Sequence, residues 1–121
     1  MIQTHVLVNF TAEVFHNWPD APEQRAYLRA RHRHLLYVTV SLQVWHADRE
    51  VEIHDLRQLC LDVFPTGDRG ACSCETMAKD LIEQLQQRFG LYRALTVDVL
   101  EDGEAGARVV YTPVVQGDPS E

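Results

Sequence analysis

No run in this 121-residue chain approaches the roughly 18 apolar positions that a membrane-spanning helix needs. No basic segment followed by an apolar one opens it as a secretory leader would. Positive charge is scarce, with 11 Lys+Arg against 18 Asp+Glu and a formal charge of −7. Phosphate contacts need clustered cations, so neither nucleic acid nor a membrane is expected as a partner. Cysteine is equally sparse. Three residues, an odd number, argue against a disulfide framework and for a reducing, cytoplasmic compartment. Repeats and low-complexity segments are missing too. What remains, 45% hydrophobic and 24% charged, is the balance of one globular domain. We expect that domain over 1–115, with a polar tail at 116–121.

Hydrophobic periodicity gives the order of elements. Val6, Val8, Phe10, Ala12 and Val14 alternate with polar residues, which places them on one face of a first strand. Asn17, Pro19, Asp20 and Pro22 open a loop, with a helical turn expected within Glu23 to Arg31. Alternation resumes with Leu36, Val38, Val40, Leu42 and Val44 on a second strand. From Glu52 to Phe64 the period changes, and Ile53, Leu56, Leu59, Cys60, Val63 and Phe64 form the stripe of a helix. A second helix follows Ser73, with Met77, Leu81, Leu85 and Phe89 spaced by four and Gly90 as its C-terminal cap. Thr96 to Glu101 and Ala107 to Tyr111 read as a closing hairpin with its turn at Asp102 to Gly106. The order ββααββ predicts an α+β fold, a four-stranded antiparallel sheet with two helices on its apolar face.

Three histidines interrupt the apolar parity of these strands. His16 ends the inward set of the first strand, while His32 and His34 begin that of the second. Antiparallel pairing brings the end of one strand beside the start of the other. Strands lie about 4.8 Å apart and alternate residues about 6.5–7 Å apart, so three imidazoles can converge on one ion. Three neutral imidazoles suit Zn2+ and leave a fourth position open. Ordinary histidines satisfied by hydrogen bonds are the alternative.

These residues resemble the 6-pyruvoyl-tetrahydropterin synthase family, which includes the 6-carboxy-tetrahydropterin synthases of deazaguanine biosynthesis. His16 matches the family's histidine after the first strand, and His32-Arg33-His34 its H-G-H. Glu52-Ile53-His54-Asp55-Leu56-Arg57 is similar to D-F-x-D-L-K, and Ser73-Cys74-Glu75-Thr76-Met77-Ala78 to T-x-E-N-x-A. Val97-Asp98-Val99-Leu100-Glu101 resembles V-x-V-x-E, whose glutamate anchors the pterin. The match spans most of the chain in the right order. It implies the tunnelling fold (T-fold), a zinc-dependent lyase activity on a dihydroneopterin triphosphate-like substrate, and metal ligands His16, His32 and His34. It implies a homo-oligomer as well, with sheets closed into a barrel and sites at subunit interfaces.

Glu101 shares the parity of Val97 and Val99, and a carboxylate on an inward face needs a partner. Adjacent N–H donors of a pterin or purine-like ring would supply one; otherwise Glu101 simply begins the polar turn. By the same resemblance Glu75 and Ser73 line the pocket, with helix capping as their alternative role. The arginines 25, 29, 31 and 33 either meet a triphosphate or form a solvated face.

Departures from the family concern proton transfer. Leu28 stands where the family has a cysteine, and Leu61-Asp62-Val63 where it has L-D-H. Arg33 replaces the glycine of H-G-H. Asp62, His54 and Cys74 are the candidate stand-ins. Cys74 is included because a helix N-terminus lowers a thiol pKa; exposed histidine is the simpler reading of His54 and of His46. Loss of both partners leaves a second possibility, a catalytically degenerate module that recognises the ligand without turnover.

Overall fold

The computed structural model describes residues 1–114, so the tail expected at 116–121 lies outside the described residues. Two 13-residue strands, β1 (Thr4–His16) and β2 (His32–Val44), pair antiparallel along their whole length. Their inward faces are those read from the alternation. Val8, Phe10, Ala12 and Val14 on β1, and Leu36, Val38, Val40, Leu42 and Val44 on β2, are all buried. Between them the loop contains one short 3₁₀ helix, Glu23–Leu28.

Helix α1 (Ile53–Val63) begins at Glu52, whose carboxylate accepts from the Asp55 N–H. It buries Leu56 and Cys60, whereas Ile53 stays exposed at its first turn. Helix α2 starts at Cys74 and runs to Phe89; the Ser73 hydroxyl accepts from the Thr76 N–H as its N-cap. Met77, Ala78, Leu81, Ile82 and Leu85 form its buried stripe. Gly90 ends it at φ 84°, a left-handed value that favours glycine.

The expected four-stranded antiparallel sheet is not what forms. The sheet is five-stranded and mixed, because Gly67–Asp68 forms a short strand β3 that pairs parallel with Val14 and Phe15 of β1. A two-residue strand is too short to show a period of 2, so alternation could not reveal it. The remaining strands, β4 (Leu95–Glu101) and β5 (Ala105–Tyr111), complete the order β3-β1-β2-β4-β5. The hairpin is tighter than expected and β5 begins two residues earlier. Asp102 and Gly103 take consecutive positive φ values of 55° and 74°, the conformation that an Asp-Gly pair favours in a short hairpin. At Gly106 a Cβ would fall 1.8 Å from the Val99 carbonyl oxygen, so only glycine fits this close approach of β5 to β4.

Both α-helices cover one face. α2 packs over β4 and β5, and α1 over β1. The opposite face exposes Leu7, Tyr37 and Val110. Among the described residues, β5 has a strand partner on one side only, and β1 from Thr4 to Glu13 pairs with β2 alone.

Candidate metal centre

The register builds the site. His16 pairs directly with His32, His34 pairs with Val14, and Glu101 of β4 pairs with Leu36 of β2. All four side chains therefore lie on the helix-facing side at one end of the sheet, where β1 ends, β2 starts and β4 ends. The three imidazole centroids are 4.6, 4.8 and 5.1 Å apart, with rings inclined at 68° to 84°. One ligand atom from each of His16, His32, His34 and Glu101 lies within 4.8 Å of every other. This is a group that can hold a metal ion.

Outer contacts set the direction of each ring. His16 Nδ1 is 2.8 Å from the Cys72 carbonyl, His32 Nδ1 is 2.9 Å from the Ala30 carbonyl, and His34 Nδ1 is 2.8 Å from Asp102 Oδ2. Each of these partners is an acceptor, so each Nδ1 carries its proton and donates. In the neutral ring this leaves Nε2 as a bare lone pair. Carbonyl or carboxylate acceptors behind the histidines are the usual outer shell of a metal site. Asp102 also accepts from the Leu35 N–H. Its carboxyl is held below the usual range, chiefly by the His34 bond.

Glu101 faces these lone pairs. Its Oε2 is 2.9 Å from His16 Nε2 and 3.0 Å from His34 Nε2. His16 Nε2 is buried and has no hydrogen bond of good geometry in spite of that proximity; in a neutral ring whose Nδ1 holds the proton, an acceptor stands there opposite an acceptor. Only a positive charge between them, a proton or a metal ion, makes the arrangement favourable. The donor set therefore fits a cation.

A cavity of about 480 Å³ opens beside the cluster. Its lining includes His16, His32 and Glu101 of the cluster together with Ser73, Cys74 and Glu75 from the start of α2. Leu28 and Trp18 belong to the same lining. No family model matches the chain, and no curated protein matches it either.

The candidates named from the sequence divide cleanly once placed. His16, His32, His34 and Glu101 come together, and Ser73, Glu75 and Cys74 reach the cavity. Cys74 behaves oppositely to expectation. Burial, then the charges of Glu101 and Glu75, push its thiol up to about 12, which outweighs the helix N-terminus. Asp62 is not brought to the site. It lies exposed on α1 and accepts from Gln58 Nε2 at 2.8 Å. His54 is not part of it either, being exposed and 2.8 Å from Glu52.

The arginines that were candidates for a triphosphate are engaged elsewhere. Arg29 donates to the Ala21 carbonyl and approaches Glu23. Arg31 pairs with Asp68 and lies 4.1 Å over the Phe15 ring, and Arg33 pairs with Glu13 at 2.6 Å. Arg25 donates to the Gln24 carbonyl. Among the described residues no Lys or Arg lines the cavity. Three contributors were missed in the sequence. Asp102 reads only as a turn residue, and Cys72 and Ala30 act through their backbone carbonyls, which no residue type announces.

Proposed function

We propose that the protein is a zinc-binding relative of the 6-pyruvoyl- and 6-carboxy-tetrahydropterin synthases, built on the tunnelling fold, that holds a pterin or purine-like ligand beside its metal. One observation carries the reading: one ligand atom from each of three histidines and Glu101 lies within 4.8 Å of the others, while every Nδ1 faces an acceptor. Nitrogen and oxygen donors in this number suit Zn2+. When bound, that ion supplies Lewis-acid polarisation of a ligand oxygen.

The cavity suits a planar nitrogen heterocycle. At about 480 Å³ it lies within the range of small-molecule sites. Glu75, Ser73 and Glu101, all in the lining, offer oxygen acceptors to ring N–H groups. Recognition without turnover is the reading these residues favour. General acid–base catalysis contributes about 10² to 10⁴-fold and needs a group that exchanges protons near neutral pH. Leu28 cannot do so, the Cys74 thiol stays protonated, and Asp62 lies outside the cavity. A subunit barrel would cover the unpaired edges of β1 and β5, so we propose a homo-oligomer with the cavity near its interfaces.

The test combines three measurements on the purified chain. Mass spectrometry should find one zinc per chain, titration calorimetry should detect binding of an unphosphorylated pterin, and dihydroneopterin triphosphate should remain unconverted. Conversion that is lost in His32→Ala would restore the enzyme reading. Protein without metal after growth in added zinc would overturn the proposal. Light scattering at the 13.9 kDa of a single chain would refute the oligomer.

A further inference from the structure

We infer that Glu101 is itself a metal ligand, so that before an organic ligand enters, the protein closes the ion's shell with three imidazoles and one carboxylate. This rests on the metal reading above. It departs from the role the resemblance gives Glu101, that of a heterocycle anchor alone.

Position argues for it first. Glu101 pairs with Leu36, two residues along β2 from His34 on the same face, so the backbone delivers the carboxylate to the histidines. The contacts argue further. Oε2 lies 2.9 Å and 3.0 Å from two Nε2 atoms that have no proton to share in the neutral rings. Ligand atoms at about 2.0–2.1 Å from a tetrahedral zinc stand about 3.3 Å from one another, so these two spacings need only a few tenths of an ångström of adjustment, while the group as a whole, within 4.8 Å, must draw in further around the ion. A cation there converts the acceptor–acceptor opposition at buried His16 Nε2 into two bonds. One carboxylate with three neutral imidazoles also halves the charge of a divalent ion, which favours holding it in a partly buried place. A carboxylate has a second oxygen, so an incoming ring can still be met by the residue that binds the metal.

Chelator competition for zinc, with wild type, Glu101→Gln and Glu101→Ala, reads the affinity. Loss of an outer partner typically costs 10–100-fold, so loss of a direct ligand should exceed about 100-fold. Circular dichroism checks that the variants fold. Cobalt substitution tests the wild type without any variant: a shell closed by protein keeps its visible bands in excess azide, whereas Glu101→Ala should admit azide and shift them. Azide-sensitive bands in the wild type, or variants within about tenfold of its zinc affinity, would overturn the inference. Either result, with zinc still bound by the wild type, leaves the metal reading standing. Absence of zinc from the wild type would sink both.

Discussion

Asp102→Asn is the most informative change outside the ligands, because it alters one atom and leaves the backbone alone. Asp102 occupies a left-handed conformation at φ 55°, which asparagine tolerates well. Its two oxygens have different tasks. Oδ1 accepts from the Leu35 N–H at 3.1 Å and Oδ2 accepts from His34 Nδ1 at 2.8 Å. An amide can satisfy only one. If its oxygen stays with Leu35, its NH₂ faces His34 and drives the proton from Nδ1 to Nε2, which caps the lone pair a metal needs. If it flips, the His34 bond survives and the NH₂ opposes the Leu35 N–H. The ion must therefore displace one favourable bond to recover its third imidazole. We expect zinc affinity to fall about 10–100-fold, the range for an outer partner, with the urea midpoint nearly unchanged. Competition against a chromophoric chelator at pH 7.5 measures the first and urea unfolding of the metal-free protein the second. Affinity within twofold of wild type would refute the tautomer reasoning. An equal loss of fold stability would show that Asp102 serves the turn instead of the metal.

Two further outcomes concern groups outside the proposed ligand set. Glu50 accepts from the N–H groups of Trp45 at 2.6 Å and His46 at 2.9 Å, and pairs with Arg93 at 2.7 Å. Burial raises its pKa, but these bonds and the Arg93 charge outweigh that and hold it below the ordinary 4.5. A depressed folded value means the stabilisation is present above pH 4.5 and is lost as pH falls through the folded pKa. Glu50→Gln should cost about 1.5–3 kcal/mol at pH 7, the range for a charged hydrogen-bonded group, and the gap to wild type should close in acid. Urea unfolding across pH 3 to 7 reads it, and a gap independent of pH would refute the assignment. For the thiols, burial pushes Cys60 up to about 11, and burial with Glu101 and Glu75 pushes Cys74 up to about 12. Both should resist iodoacetamide in the folded protein at pH 8, leaving the less buried Cys72 to label first. Faster labelling of Cys74 would contradict its protonated state.

Much of the site was legible because its residues interrupt a strong pattern. Thirteen-residue strands fix parity well, so His16, His32 and His34 could be placed on the inner face before their pairing was known. Glu101 was placed on the same face by Val97 and Val99, but parity carries no distance. The approach to His16 and His34 follows from the pairing of β4 with β2, which alternation does not encode. β3 was hidden by its length. The role of Cys74 was misjudged because a helix N-terminus is visible in sequence, whereas burial and two neighbouring carboxylates are properties of the folded chain. The arginines around His32 and His34 looked like a cationic cluster. On a strand, however, alternate residues leave on opposite faces, and Arg33 departs to meet Glu13 on the side away from the histidines.

The placement of these charges bears on what the cavity can accept. A triphosphate brings several negative charges and needs cations at close range, because exposed charges more than about 8–10 Å away are largely screened. The lining instead presents Glu75 and Glu101, and arginines 29, 31 and 33 each have an acid of their own. A metal ion relieves the charge of Glu101 but not that of Glu75. Within one chain, the balance therefore favours a neutral ring rich in N–H donors over its phosphorylated form. Calorimetry with a pterin and with dihydroneopterin triphosphate, each on zinc-loaded protein, should give the tighter binding to the unphosphorylated ring. Tighter binding of the triphosphate would require cations from a second subunit, and would make assembly a condition of recognition.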